Sequence, residues 1–303
     1  MRAKTQTETF SRSRPAVVRE IKGYWELSKP RISLMVTLTG AVGFLMGMAS
    51  GASFTGLFHV MLGTFLVSAA ANTLNQIFER TPDAQMRRTA NRPLPTGRIS
   101  PLQAGIFASV LGVGGVLYVT LFLNGLTGVI ASVTLLSYAF VYTPLKRKST
   151  LNTLVGAVPG ALPPLGGWTA ATGALGSTGW ALFAILFFWQ LPHFYSIAWL
   201  LKQEYARAGF KMLPSIDPNG TRTGIAMVST SALLIPVSLL PTWLGATGWV
   251  YGAVAAAISL GYFACSLWAS RKLSVTRTRW VFVASLLYLP LLLVVMTIDK
   301  VPF

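Results

Sequence analysis

Residues 55–98 read TGLFHV MLGTFLVSAA ANTLNQIFER TPDAQMRRTA NRPLPTGR, and the way this stretch divides decides the fold. From Thr55 to Gln76 there is no Asp, Glu, Lys or Arg, whereas Glu79, Arg80, Asp83, Arg87, Arg88, Arg92 and Arg98 crowd into the residues that follow. The apolar run matches the ~20 residues a helix needs to cross a bilayer. It does not alternate as a strand would. In hydrocarbon every backbone polar group must be satisfied internally, so the run is expected to be helical.

The same division recurs along the chain, with spans expected at 32–49, 55–76, 101–122, 125–143, 152–172, 177–199, 223–244, 248–269 and 280–298. Hydrophobic types make up 53% of the 303 residues and charged types 11%. A soluble domain carries roughly 25% charged residues, so there are too few here to coat a globular surface. The expected class is therefore all-α, a polytopic membrane protein of about nine transmembrane helices forming a single domain over 23–303. The net charge of +17 raises nucleic acid as a partner. Its distribution argues against one, because the basic residues sit in short clusters between apolar runs. With nine spans, 24 of the 25 Lys and Arg fall on one side and only Lys300 on the other. The positive-inside rule makes that side cytoplasmic, with the N-terminus inside and the C-terminus across a cell inner membrane.

Residues 1–22 are polar and basic, with no apolar core for a signal peptide. Glu8 and Glu20 weaken a mitochondrial presequence, and a disordered cytoplasmic tail is expected. Cys265 lies in an apolar run and has no partner for a disulfide within the chain. It is read as buried and inert. His59 lies near the non-cytoplasmic end of its span and is read as structural.

Chemistry is expected at the cytoplasmic face, where the longest loops follow spans two and six. Asn72, Asn75, Glu79 and Asp83 are spaced three, four and four apart, which places them on one helical face. Such a row of oxygen ligands suits Mg²⁺, which takes one or two carboxylates together with substrate phosphates. Taken alone, the two acids also fit ordinary polar residues at a helix end. Arg87, Arg88, Asn91, Arg92 and Arg98 follow at once, and Arg is suited to bidentate phosphate contact. Acids for a metal beside bases for phosphate are what a diphosphate needs. Pro82 is expected to kink or restart the helix, which bears on where Asp83 lies.

The run Asn72–Arg98 resembles the first polar motif of the UbiA superfamily of membrane prenyltransferases, in the form carried by its heme-prenylating branch. Here Arg80-Thr81-Pro82-Asp83 stands where the family often has two acids. Leu27-Ser28-Lys29-Pro30-Arg31 resembles the family's lead into the first span, and Tyr142 with Lys146 and Arg147 its Tyr-x-x-x-Lys-Arg signature. The Gly- and Pro-rich stretch Gly156–Trp168 agrees with the heme-type branch, as does the region from Trp189, Gln190, Pro192 and His193 through Lys202 and Glu204 to Pro214. Other members carry several aspartates in that second motif.

The resemblance implies a UbiA-type bundle that moves a farnesyl group from farnesyl diphosphate to a vinyl group of heme b, giving heme O and diphosphate. It implies Mg²⁺ at Asn72, Asn75, Glu79 and Asp83, and diphosphate held by Arg87, Arg88, Asn91, Arg92, Lys146, Arg147 and Lys202. Catalytic roles would fall to Asn75, Glu79 and Asp83, with His193 or Glu204 managing protons. Implied partners are the lipid bilayer and heme A synthase or terminal-oxidase assembly proteins. Two alternatives stay open: a prenyltransferase of the same superfamily with an aromatic or quinone acceptor, and a transporter of anionic lipid-like molecules, whose mouth would be equally basic.

Overall fold

The structure is a computed structural model that describes residues 16–49 and 54–302. Among these residues it is helical without a strand; one isolated antiparallel bridge joins Thr247 to Lys300. The first described element is a short helix, α1 (Ala16–Leu27), which exposes Val18, Ile21 and Trp25 along one face and buries Leu27 against Leu94 and Ile99. The expected disordered tail is thus corrected over 16–22, which belongs to α1; the remainder of it lies outside the described residues.

Nine long helical segments follow: α2 (Pro30–Gly47), α3 (Thr55–Phe78), α5 (Pro101–Phe122), a composite fourth segment, α8 (Asn152–Thr172), α9 (Ser177–Leu200), α11 (Thr221–Trp243), α12 (Trp249–Ser270) and α13 (Val275–Ile298). The fourth joins α6 (Gly125–Leu136), a π-helical turn (Ser137–Tyr142) and α7 (Thr143–Leu145). Short helices α4 (Arg80–Ala84) and α10 (Lys202–Arg207), with a 3₁₀ turn (Leu213–Ile216), lie in the two long loops. Eight of the nine are long and apolar enough to cross a membrane; α8 is the other. This is a multi-pass membrane protein in which large apolar side chains such as Leu121 and Ile298 stand outward, as a lipid-facing surface requires.

α8 carries Pro159, Pro163 and Pro164 inside its length and is buried along most of it. Its small residues serve close packing on α2. A Cβ added to Gly167 would collide with the carbonyl oxygen of Gly40, and one added to Gly43 with that of Pro164. Backbones approach this closely only where side chains are absent. The ends away from the basic loops are tied by the C-terminus. Asp299 accepts a hydrogen bond from the Tyr251 backbone N–H at 2.7 Å, at the start of α12. Lys300 Nζ donates to the carbonyls of Leu45 and Met48 at 2.7 and 2.5 Å, capping the C-terminus of α2. Lys300 is thereby held at the negative end of a helix dipole.

The α2–α8 crossing yields a stability test. Gly43→Val forces the two backbones apart, and the purified protein is expected to unfold in detergent at a clearly lower temperature. An unchanged melting curve would contradict the packing described here.

Candidate active site

The first polar motif begins where α3 ends. Glu79 caps α3 and α4 restarts at Arg80, so Pro82 sits in a new short helix and interrupts no long one. The Asp83 N–H still donates to the Glu79 carbonyl at 2.7 Å, which keeps both acids in one cavity. Both are buried, with relative exposures of 6% for Glu79 and 1% for Asp83. A buried carboxylate must be paired. Lys146, just beyond α7, places Nζ 2.8 Å from Glu79 Oε1, and Arg92 donates to Asp83 Oδ2 at 2.6 Å.

Both acids keep acceptor capacity. Asp83 Oδ1 is buried and has no hydrogen-bond partner in the protein. Glu79 Oε1 is paired with the Lys146 ammonium at 2.8 Å, which leaves the carboxylate's other lone pairs free. Asn75 adds a carbonyl oxygen that accepts from Lys29 Nζ at 3.1 Å, while its amide nitrogen donates to Thr143 Oγ1 at 3.3 Å. Hard oxygen donors with unused lone pairs fit a Mg²⁺ ion that takes its remaining ligands from substrate and water. Among the described residues no cluster of three or more His, Cys, Asp or Glu side chains forms an all-protein cage.

Burial raises the Asp83 carboxyl above its usual range, against the opposing guanidinium of Arg92. Burial alone would lower the Lys146 ammonium; Glu79, Tyr142 and Tyr138 together hold it well above the ordinary lysine value. Lys29 is brought down to about 7 by burial and then by the charge of Arg92, with Glu79 opposing. Its backbone is also unusual: φ is 43° and ψ 62°, and it is the one described non-glycine residue with positive φ. A side chain in that region carries strain. The turn aims Lys29 into the cavity at the head of α2.

The cavity is completed by Arg88, Tyr138, Tyr142, Phe194, Ile197, Tyr205, Phe210 and Met212. Arg88 donates to the Tyr205 hydroxyl at 2.8 Å, and Met86 packs against Phe210 and Met212, so the second long loop covers the first. A second, apolar cavity runs between α2, α3, α5, α6 and α8, lined by residues such as Val36, Val67, Val119 and Pro163. Ile32 and Tyr138 line both cavities.

The expected site residues divide accordingly. Asn75, Glu79, Asp83, Arg88, Arg92 and Lys146 line the polar cavity. Asn72 lies a turn deeper, on the apolar cavity, donating to Ser33 Oγ at 3.2 Å. Arg87, Asn91 and Arg147 are exposed and outside the lining. Lys202 rests its ammonium over the Trp199 ring at 4.0 Å. Glu204 keeps a buried oxygen, Oε2, without a partner, also outside the lining. His193 faces α13: its Nδ1 lies 2.7 Å from Ser285 Oγ, and its ring stacks on Trp189 at 5.2 Å. His59 sits 2.7 Å from the Tyr118 hydroxyl and stacks on Phe122, far from these groups in the fold. Lys29 and Tyr138 were not singled out by the sequence. For Lys29 the available signal was a lysine directly before a span-opening proline.

A buried pairing of acids and bases beside an apolar cavity in a helical bundle defines a membrane enzyme for a molecule with an anionic head and an apolar tail. The description "UbiA prenyltransferase family" matches residues 33–297, and the chain belongs to this family. It is 46% identical over 279 residues to the protoheme IX farnesyltransferase of Salinibacter ruber, covering 91% of this chain and 98% of that one. With the protoheme IX farnesyltransferase of Koribacter versatilis the identity is 41%, over 97% of this chain and 98% of the relative. Among solved structures, a UbiA homolog from Archaeoglobus fulgidus bound to DMAPP and Mg²⁺ superposes with a TM-score of 0.67 at 20% identity, covering 91% of this chain and 99% of the other. A digeranylgeranylglyceryl phosphate synthase structure gives 0.79 at 18% identity, over 92% and 98%. At these identities the structural likeness concerns the fold.

Lys29 supplies a pH test. An anion needs its ammonium form, so above about 7 each binding event must also take up a proton. In metal-free buffer, affinity for inorganic diphosphate is expected to weaken as pH rises through 7, and Lys29→Arg is expected to flatten that slope. Equal slopes in titration calorimetry would remove Lys29 from the anion site.

Proposed function

We propose that this protein transfers a farnesyl group from farnesyl diphosphate to a vinyl group of heme b, giving heme O and releasing diphosphate. The observation that carries the reading is the polar cavity, with paired carboxylates and basic side chains, lying next to an apolar cavity with which it shares Ile32 and Tyr138. Heme as acceptor is favoured by the high identity to proteins named protoheme IX farnesyltransferase along nearly their full length.

In this reading Asn75, Glu79 and Asp83 hold Mg²⁺, with the unpartnered Asp83 Oδ1 as the oxygen most in need of a cation. The ion supplies charge neutralisation to the departing diphosphate. Lys29, Arg88, Arg92 and Lys146 bind the remaining phosphate oxygens, lowering the barrier to ionisation of the allylic C–O bond. Arg87, Arg147 and Lys202 gather the anion at the mouth as it arrives, and Asn91 offers it a hydrogen-bonding amide. The apolar chamber takes the isoprenoid tail, and the cover of Phe210, Met212 and Met86 excludes water that would quench the allylic cation. The vinyl group then attacks C1 of the cation. Water adds to the carbon left electron-poor and gives up a proton; His193 and Glu204, which lie outside the cavity lining, take it only through intervening water. The basic end of the bundle faces the cytoplasm and the protein lies in the inner membrane, with heme A synthase or terminal-oxidase assembly proteins receiving the product.

The test expresses the chain in membranes that lack heme O, adds farnesyl diphosphate and Mg²⁺, and separates hemes by chromatography with mass detection. Heme O is expected, and Glu79→Gln and Asp83→Asn are each expected to lower its formation by about 100-fold or more, as loss of a group that stabilises transition-state charge does. Prenylation of a different acceptor would overturn heme as substrate. A folded protein that prenylates nothing would move the transporter reading forward.

A further inference from the structure

The chain's fourth span is α-helical except at one place, the π-helical turn Ser137–Tyr142. There the Thr143 N–H reaches back to the Tyr138 carbonyl, five residues earlier, and Thr143 Oγ1 donates to the same oxygen at 2.9 Å. Single π turns within α-helices are frequent at functional sites because they re-aim one side chain. The hydroxyl of Thr143 is also the acceptor for Asn75, so the turn is coupled to the acid cluster. The side chain it re-aims is Tyr138, which lines the polar and the apolar cavity together.

If the head of a prenyl diphosphate occupies the polar cavity and its tail the apolar one, the carbons joining them, C1 to C3, lie at the junction. Breaking the C1–O bond leaves the electron pair on the diphosphate oxygen and a positive charge shared between C1 and C3. Two residues line that junction, and one of them, Ile32, is aliphatic. The neighbouring Tyr142 already carries the Lys146 ammonium over its ring at 4.6 Å, whereas Tyr138, 5.2 Å from Tyr142, lines the junction itself. Aromatic faces attract cations, most strongly away from water.

We propose that Tyr138 is a catalytic residue whose ring face stabilises the allylic cation as the diphosphate leaves. This rests on the reading of the substrate as a prenyl diphosphate.

The test uses full-length protein in detergent without heme and follows farnesol release from farnesyl diphosphate, which reports ionisation alone. Binding of an inert thiolo-diphosphate analogue reports an intact site. Starting from Tyr138→Phe, phenylalanines bearing one, two and three ring fluorines are placed at the position. Each fluorine drains the ring face at nearly constant shape. The rate is expected to fall stepwise, by about tenfold or more at three fluorines, with analogue affinity unchanged. Tyr138→Leu, assayed in parallel, is expected to lose a similar factor in kcat while still binding the analogue. A flat fluorine series, or a Leu variant of full rate, would overturn the role of Tyr138. A wild-type protein that binds no analogue and releases no farnesol would overturn the substrate reading itself, and the Tyr138 role with it.

Discussion

Two carboxylates lie at the base of an apolar bundle, and everything around them follows from the cost of keeping them charged there. An ion stripped of water is destabilised by several kcal/mol unless partners replace its hydration. Glu79 has Lys146, from the far side of the composite fourth span, and Asp83 has Arg92, from the following loop. Neither partner adjoins its acid in sequence, so the acids hold the end of α3, the end of α7 and the loop of 85–100 in one arrangement. Removing one member of such a pair leaves its buried partner uncompensated. The cluster therefore organises the site as well as serving it.

The local distortions gather at the same place. Lys29 takes a left-handed backbone at the head of α2, and the π turn interrupts the fourth span beside the acids. Regular helices would present different side chains to the cavity. Sparsely populated conformations persist where surrounding contacts over-determine them, and here the contacts are Lys29 to Asn75 and Asn75 to Thr143. One asparagine thus braces both distortions, which gives it a positioning duty alongside its carbonyl oxygen.

Much of this was legible in the sequence. Runs of about twenty apolar residues leave the backbone no choice but helix, so the nine expected spans coincide with the nine long segments to within a few residues. The largest difference is α13, which starts at Val275 and not at 280, because Arg277 and Arg279 lie on a helical extension at the charged end. Glu79, Asp83 and Lys146 were readable because charge is scarce in such a chain. The helical spacing that grouped Asn72 with Asn75 misled in detail: the acceptor row runs down α3 into the apolar cavity, and Asn72 is tied to Ser33 there. Arg87 and Arg88 are both exposed, and that only Arg88 reaches the cavity lining depends on the turns after α4, which hydrophobic periodicity does not encode. Lys29 and Tyr138 depend on an αL residue and a π turn, both fixed by tertiary contacts rather than local pattern.

The second polar stretch makes the chemistry of the cavity asymmetric. It contributes Phe194, Ile197, Tyr205, Phe210 and Met212 to the lining, and no carboxylate. Four basic side chains, Lys29, Arg88, Arg92 and Lys146, therefore face two acids, Glu79 and Asp83, and the cavity is left with a positive surplus. Such a surplus under an apolar cover is unfavourable until an anion enters. The pocket is accordingly more complementary to an anionic headgroup than to a neutral one. Aromatic and thioether side chains on the opposite wall adapt to a large flat surface more readily than a ring of aspartates would. The charged side chains thus stand on the first motif and the apolar cover on the second, an arrangement that suits an acceptor with a broad apolar face.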